Sequence, residues 1–204
     1  MSGPTSSPEE RRVPASVLRL ILNGIQDVAG SRYERVLEEA GLGRYVAVPP
    51  PDDDSPTISH PALSRLYGVT HRVVGETLTR SFLNAYGRRL PQSLLSSELG
   101  AQMKQQMQGV PEAQRLEKAV RLVADSGKAF NVEVGVSQTP EAWFLTVSEC
   151  AICADMKGAQ APVCANSEIF YGTMVRELSG HRVIALEVEC AAMGHPHCVY
   201  RIRK

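Results

Sequence analysis

The chain has 204 residues, of which 43% are hydrophobic and 22% are charged, so it is long enough to bury a substantial core. Its 22 basic and 22 acidic residues balance, which argues against direct binding to nucleic acid. No apolar run reaches the roughly 18 to 20 residues that span a bilayer, and the polar segment Met1–Arg12 does not resemble a signal peptide. We therefore expect a cytoplasmic protein with no membrane span, in which residues 1–13 form a flexible tail and residues 14–204 form a single domain.

The first part of that domain, residues 14–126, is predicted to be mainly helical. Apolar residues recur there at helical spacing, in segments bounded by the Pro, Ser and Gly residues that begin or end helices. The predicted helices are Ala15–Ala29, Arg32–Ala40, His60–Tyr86, Ser97–Met107 and Glu112–Ser126. The segment Val48–Pro56 is rich in Pro and Asp, which predicts an extended surface loop.

The predicted helix His60–Tyr86 carries an unusually broad apolar stripe. A stripe of that width indicates burial on two sides, one against the helix's own domain and one against a partner subunit. A homodimer is therefore expected.

Residues 127–204 have the pattern of a sheet with one helix. Alternating apolar residues and Gly or Pro turns predict two pairs of strands, and a helical segment separates the pairs. The strands are Ala129–Val136, Trp143–Val147, Arg182–Cys190 and Cys198–Ile202, and the helix is Asn166–Leu178. Helices followed by an antiparallel sheet that includes a further helix predict an α+β fold.

Four soft or anionic side chains close to the carboxyl end predict a structural metal site. Three thiolates and one carboxylate match the ligand number and softness that tetrahedral zinc prefers. The predicted ligands are Cys164, Glu187, Cys190 and Cys198. In a straight strand Glu187 and Cys190 would point to opposite faces, so a bulge or bend is required if both bind the metal.

Other ligand sets are compatible with the same spacing. Cys150 and Cys153 have the two-residue separation of a common zinc half-site and could combine with Cys190 and Cys198. A histidine of the Gly194–Cys198 turn could replace Glu187 as a nitrogen ligand. Spacing alone does not choose between these sets.

The stretch from about Trp143 to Arg203 resembles the 4-vinyl reductase domain. This small-molecule-binding module is found in bacteriochlorophyll-synthesis proteins, archaeal hydrocarbon-binding proteins and the sensor domains of phenol- and xylene-responsive activators. The segments that carry the resemblance are Glu149–Cys153, Ala161–Cys164 and Glu187–Tyr200. In the phenol-sensing relatives zinc is held by a Cys, a Glu and two further Cys. That pattern falls on Cys164, Glu187, Cys190 and Cys198, so the resemblance favours this set.

The resemblance also implies a ligand pocket next to the zinc site. A tryptophan of the phenol sensors falls on Trp143, but their pocket tyrosine is replaced by Ala185, so phenol itself is not the expected ligand. Aromatic rings and an adaptable thioether would form the pocket wall. The candidate residues are Trp143, Phe144, Leu145, Phe170, Tyr171 and Met174.

The sequence offers no signature of catalysis. It contains neither a G-x-x-x-x-G-K-[ST] nor a G-x-G-x-x-G pattern for a nucleotide or nicotinamide cofactor, and a reductase needs a source of hydride. We therefore expect a zinc-stabilised domain that binds a small hydrophobic or aromatic ligand and acts as a sensor or carrier. The alternatives are a tetrapyrrole-handling accessory protein of bacteriochlorophyll synthesis and a non-catalytic dimeric scaffold.

Overall fold

The computed structural model describes residues 11–130 and 132–204, which form an amino-terminal helical half and a carboxyl-terminal half of helices and sheet. Each half has its own cluster of buried apolar side chains. The predicted α+β class is confirmed. Residues 1–10 of the predicted tail lie outside the described residues.

Within its described residues, the amino-terminal half has five α-helices and a two-stranded ribbon. Its elements are β1 (Arg12–Pro14), α1 (Ala15–Ala29), α2 (Tyr33–Glu39), α3 (Arg44–Ala47), β2 (Pro56–Ser59), α4 (His60–Val74) and α5 (Glu76–Ser96). β1 pairs with β2 in antiparallel orientation, and the side chain of Val13 is buried. The end of the predicted tail therefore belongs to the folded domain, because a partner strand covers it.

The long helix predicted over His60–Tyr86 is two helices, and this part of the prediction is wrong. Gly75 separates α4 from α5 with a φ of 89°, a backbone conformation that glycine adopts without strain. Apolar residues of both helices are buried in the amino-terminal core, including Leu66 and Phe82. The other side of α5 packs against a helix of the carboxyl-terminal half. The broad apolar stripe is thus covered within the chain, so it no longer argues for a partner subunit.

The carboxyl-terminal half places helices on one face of an antiparallel sheet. Its elements are α6 (Glu98–Gln106), α7 (Glu112–Ser126), β3 (Val134–Gln138), β4 (Ala142–Val147), α8 (Ala165–Ser179), β5 (Ala185–Glu189) and β6 (Cys198–Arg203). The strand order is β3-β4-β6-β5. The first predicted strand began too early, because residues 127–130 form a turn of 3-10 helix before β3.

The two faces of this sheet differ in exposure. Trp143 and Leu145 of β4 and Tyr200 of β6 are buried on the inner face, which packs against the helices. On the outer face Leu186 and Val188 of β5 remain 44% and 40% exposed. None of the helices in the described ranges is long and apolar enough to cross a membrane.

Candidate metal centre and ligand cavity

The side chains of the four predicted metal ligands converge at one end of the sheet. Their candidate ligand atoms all lie within 4.8 Å of one another, and all four residues are buried. The members are Cys164, just before α8, Glu187 on β5, Cys190, just after β5, and Cys198, the first residue of β6.

An irregularity in β5 makes this convergence possible. The pairing of β5 with β6 shifts register between Glu187 and Glu189, so that Val188 is an extra residue in the strand. A bulge of this kind reverses the alternation of side chains beyond it. The bulge predicted from the spacing of Glu187 and Cys190 is therefore present.

The other two cysteines join the same cluster. Cys150 and Cys153 lie in the turn after β4, and with Cys164 and Cys198 they form a second group whose sulfur atoms are all within 4.8 Å. Cys150 Sγ lies 3.6 Å from Cys164 Sγ, and Cys153 Sγ lies 3.4 Å from Cys198 Sγ. This second group contains Cys164 where the alternative set had Cys190. We call the five cysteines and Glu187 the metal-site cluster.

The donor set of the metal-site cluster fits a thiophilic cation. Tetrahedral zinc with Zn–S bonds of about 2.3 Å places its sulfur ligands roughly 3.8 Å apart. Two sulfur separations within one group of convergent ligands, 3.4 Å and 3.6 Å, are close to that value. All five cysteines are free thiols. The buried cluster could therefore hold a metal ion.

Glu187 provides the clearest sign that the site needs a positive charge. Its Oε2 accepts a hydrogen bond from the backbone N–H of Cys164 at 3.0 Å, but its buried Oε1 has no partner among the described residues. Burial raises the pKa of this carboxyl group to about 10, and the neighbouring Cys190 and Cys198 add to the shift. A bound cation would satisfy the free oxygen and keep the carboxylate ionised.

The two histidines of the β5–β6 connection do not join the cluster. His195 and His197 are exposed on the turn, and neither belongs to a group of convergent ligands in the described part of the chain. The geometry therefore favours Glu187 over a histidine as the non-sulfur ligand.

A cavity of about 130 Å³ lies between the two halves of the molecule, beside the metal-site cluster. Its wall is mostly apolar. The amino-terminal half contributes Val13, Pro14, Val17, Ile21, His60, Leu63, Tyr67, Tyr86 and Leu90, and the carboxyl-terminal half contributes Val123, Gly127, Phe130, Val132, Ala151, Ile152, Asn166, Ser167, Phe170 and Tyr171. We call this space the central cavity.

A few polar groups lie among the apolar residues of this wall. The Oδ1 atom of Asn166 is buried and has no hydrogen-bond partner in the described structure. Burial lowers the pKa of His60, so its ring is neutral at pH 7, and a hydrogen bond with the backbone of Phe130 opposes part of that shift. Burial likewise raises the pKa of Tyr86 and Tyr171. The cavity thus presents neutral groups and one unsatisfied acceptor.

The six predicted ligand-binding residues are not all in one place. Phe170 and Tyr171 line the central cavity. Leu145 and Met174 are fully buried in the carboxyl-terminal core, whereas Phe144 is half-buried on the opposite face of the sheet because strand residues alternate. Trp143 is also buried, with Arg121 and Lys204 over its ring at 5.5 Å and 4.9 Å.

Sequence reasoning missed most of the cavity wall. His60 and Asn166 lie more than 100 residues apart in the chain, and nothing in the local sequence of either predicts that they line the same space. Ala151 and Ile152 separate Cys150 from Cys153 in the sequence, and nothing else about them predicts that they line a cavity.

Two segments are shared by the cavity and the cluster. Helix α8 begins after Cys164, and its first turns supply Asn166 and Phe170 to the cavity. Ala151 and Ile152, which separate Cys150 from Cys153, also line the cavity. The backbone N–H of Asp155 donates a 2.7 Å hydrogen bond to Ser64 Oγ, which holds this turn against α4.

Comparison with known proteins assigns the part of the chain that carries the cluster. Residues 143–204 match the family model of the 4-vinyl reductase domain. The matched segment is the last third of the chain. This match confirms the resemblance seen in the sequence, and it covers Cys164, Glu187, Cys190 and Cys198. No sequence among the curated proteins matches the chain significantly.

Solved structures resemble more of the chain than the 4-vinyl reductase domain alone. The phenol-responsive sensory domain of the transcription activator PoxR, with phenol, has 20% identity and a TM-score of 0.51, over 74% of this chain and 77% of that one. An H-NOX protein from S. oneidensis has 14% identity and a TM-score of 0.52, over 91% and 98%. An H-NOX mutant from K. algicida has 10% identity and a TM-score of 0.55, over 94% and 96%. At these identities the likeness shows a shared fold.

Proposed function

We propose that this protein is a sensor or carrier that binds a small hydrophobic or aromatic molecule in the central cavity, and that zinc in the metal-site cluster stabilises the cavity wall. The observation that carries the proposal is the apolar cavity with the unpartnered Oδ1 of Asn166, adjacent to the buried cluster. The 4-vinyl reductase domain and the structural likeness to the sensory domain of PoxR support a binding role.

The size and polarity of the cavity define the ligand class. A volume of about 130 Å³ is close to that of an engineered apolar cavity of roughly 150 Å³ that binds benzene. An unpartnered acceptor favours a ligand with one hydroxyl or amine donor. A single ring with such a group fits, as does a compact aliphatic molecule. The tetrapyrrole alternative is less favoured, because a macrocycle of four pyrrole rings exceeds this volume.

Zinc would be held by Cys164, Glu187, Cys190 and Cys198. Four protein ligands leave no position for water, so the ion would have a structural role. It would tie the start of α8 to β5 and β6, which fixes Asn166 and Phe170 at the cavity wall.

A homodimer is part of the proposal, although the helical stripe no longer supports it. The described surface offers a different face. Ile184, just before the edge strand β5, is 73% exposed, and Leu186 and Val188 within that strand are 44% and 40% exposed. A row of exposed apolar side chains on an edge strand favours association. A cytoplasmic location and the absence of direct nucleic-acid binding stay predictions from the sequence.

Calorimetric titration with matched ring pairs tests the binding role. We would compare aniline with benzene and p-cresol with toluene, on the native protein and on Asn166→Leu. We expect the native protein to prefer the member of each pair with a donor by about 3- to 10-fold, as one neutral hydrogen bond contributes roughly 0.5–1.5 kcal/mol. The Asn166→Leu variant should lose that preference.

Two further variants complete the test. Asn23 is exposed on α1, so Asn23→Leu should bind like the native protein. Leu63→Phe adds volume to the cavity wall and should weaken every ligand. If none of the four compounds binds, or if Leu63→Phe leaves their affinity unchanged, the central cavity is not the binding site.

A further inference from the structure

We propose that the metal-site cluster is a binuclear zinc–thiolate site, in which Cys164 and Cys198 bridge two ions. One ion would be held by Cys150, Cys153, Cys164 and Cys198, and the other by Cys164, Glu187, Cys190 and Cys198. This inference rests on the metal centre of the proposed function and extends it from one ion to two.

The first argument is the overlap between the two groups of convergent ligands. Each group contains four residues, and they share Cys164 and Cys198. Two four-coordinate ions that share two ligands need six different residues, which is the number in the cluster. A thiolate sulfur has enough lone pairs to bind two metal ions, so Cys164 and Cys198 can bridge. Glu187 and the other three cysteines would each bind a single ion.

The second argument is the position of the bridging sulfurs. Cys164 and Cys198 are both fully buried. Cys164 Sγ lies 3.6 Å from Cys150 Sγ, and Cys198 Sγ lies 3.4 Å from Cys153 Sγ. These separations are near the roughly 3.8 Å edge of a zinc–sulfur tetrahedron. In addition, the backbone N–H of Ala191 donates to Cys198 Sγ at 3.4 Å, an interaction that favours a thiolate at this position.

The third argument is charge. A single zinc held by Cys164, Glu187, Cys190 and Cys198 leaves Cys150 and Cys153 as extra thiols in a buried, crowded space. Adding two thiolates together with a second Zn²⁺ leaves the net charge of the cluster unchanged, so each added buried charge has an opposite charge bound to it.

The second ion would also fix the position of part of the cavity wall. Ala151 and Ile152 lie between Cys150 and Cys153 and line the central cavity. Fixing both cysteines on one ion would fix the backbone between them. The first zinc would orient α8, and the second would orient the part of the cavity wall that Ala151 and Ile152 form.

Metal content and ¹¹³Cd NMR test this proposal on the full-length protein. Protein purified from zinc-supplemented cells should contain two zinc ions per chain. The double variant Cys150→Ser, Cys153→Ser and the double variant Glu187→Gln, Cys190→Ser should each retain one. Native protein loaded with ¹¹³Cd should show two resonances with a scalar coupling between them, because only a bridging sulfur connects the ions through bonds.

The outcomes separate this proposal from the one on which it rests. One zinc in the native protein and one in the Cys150→Ser, Cys153→Ser variant would overturn the binuclear site and leave the single metal centre. A metal-free native protein would overturn both. Two uncoupled ¹¹³Cd resonances would overturn the bridging role of Cys164 and Cys198. The NMR measurement needs no variant, so the test holds if a double variant fails to fold.

Discussion

Gly87 on α5 and Asn166 on α8 lie in direct backbone contact. A Cβ atom at position 87 would be 2.7 Å from the carbonyl oxygen of Asn166 and 2.8 Å from its Cα. The missing side chain lets α5 of the helical half approach α8 of the carboxyl-terminal half where α8 leaves the metal-site cluster and enters the cavity wall. This contact therefore determines how the two halves enclose the central cavity.

Replacing Gly87 with alanine should destabilise the protein. The new methyl group meets backbone atoms that cannot rotate away, and overpacking of this kind costs about 1–3 kcal/mol. Gly68 on α4 is the matched control, since beyond its chain neighbours and its own helix backbone no described atom lies within 4 Å of a Cβ placed there. Gly68→Ala should be neutral or slightly stabilising. Urea unfolding measures both, and equal stability of the two variants would contradict the close packing of α5 on α8.

Removing the carboxylate of Glu187 should weaken metal binding. Glu187→Gln deletes the anionic oxygen donor of the buried site, whereas the half-buried Glu189, two residues along the same strand, belongs to neither group of convergent ligands. We expect at least a tenfold loss of zinc affinity in Glu187→Gln and none in Glu189→Gln, measured by competition with a chromophoric chelator. Equal affinities in the two variants would remove Glu187 from the ligand set.

The stability of the protein should fall as the pH drops below about 6.5. Burial lowers the pKa of His60 in the folded state, so the unfolded chain binds a proton at a higher pH than the folded chain does. The contribution of the neutral ring is therefore fully present above the unfolded pKa and is lost as the pH falls from the unfolded pKa through the lower folded pKa.

His60→Gln tests this assignment. Between about pH 7.5 and about pH 5.5, the variant should lose less unfolding free energy than the native protein does, as measured by urea titration. His195→Gln, at an exposed position, serves as the control. If His60→Gln shows the same pH dependence as the native protein, other groups cause it.

A cavity ligand should slow the loss of zinc. The ligand would contact α8 and the turn between Cys150 and Cys153, so it would hold in place two segments that carry metal ligands. The rate at which a chelator removes zinc, monitored by stopped flow, should be several-fold lower in saturating ligand. Asn166→Leu should lose most of this protection at the same ligand concentration. Extraction rates that are independent of ligand would show that the cavity and the cluster are uncoupled.

Charged residues on the exposed edge of the sheet should dissociate the proposed homodimer. The double variant Ile184→Lys, Leu186→Lys places like charges on the apolar row of β5. Val48, 69% exposed after α3, is the control site for Val48→Lys. Light scattering should give twice the chain mass for the native protein and for Val48→Lys, and the mass of one chain for the double variant. A native protein with the mass of one chain would contradict the dimer.

Local sequence determined the elements whose boundaries depend on nearby residues. Helices α1 and α7 have the predicted bounds, since Pro and Gly at their ends act on the backbone within one turn. The bulge in β5 was also accessible, because the alternation of strand side chains makes it necessary for Glu187 and Cys190 to meet. The convergence of the four predicted ligands could be anticipated from spacing and resemblance, because these residues lie on one hairpin and just before the helix beside it.

Tertiary packing determined the features that depend on distant residues. The break at Gly75 was not evident, because apolar periodicity continues across it and only packing against α8 and the amino-terminal core shows where the two helices diverge. His60 and Asn166 line the same cavity, and α5 approaches α8 closely at Gly87. The turn that returns Cys150 and Cys153 to Cys164 and Cys198 depends on contacts with α4. Spacing along the chain describes which residues a segment offers, whereas the distances between segments are set by how their side chains pack.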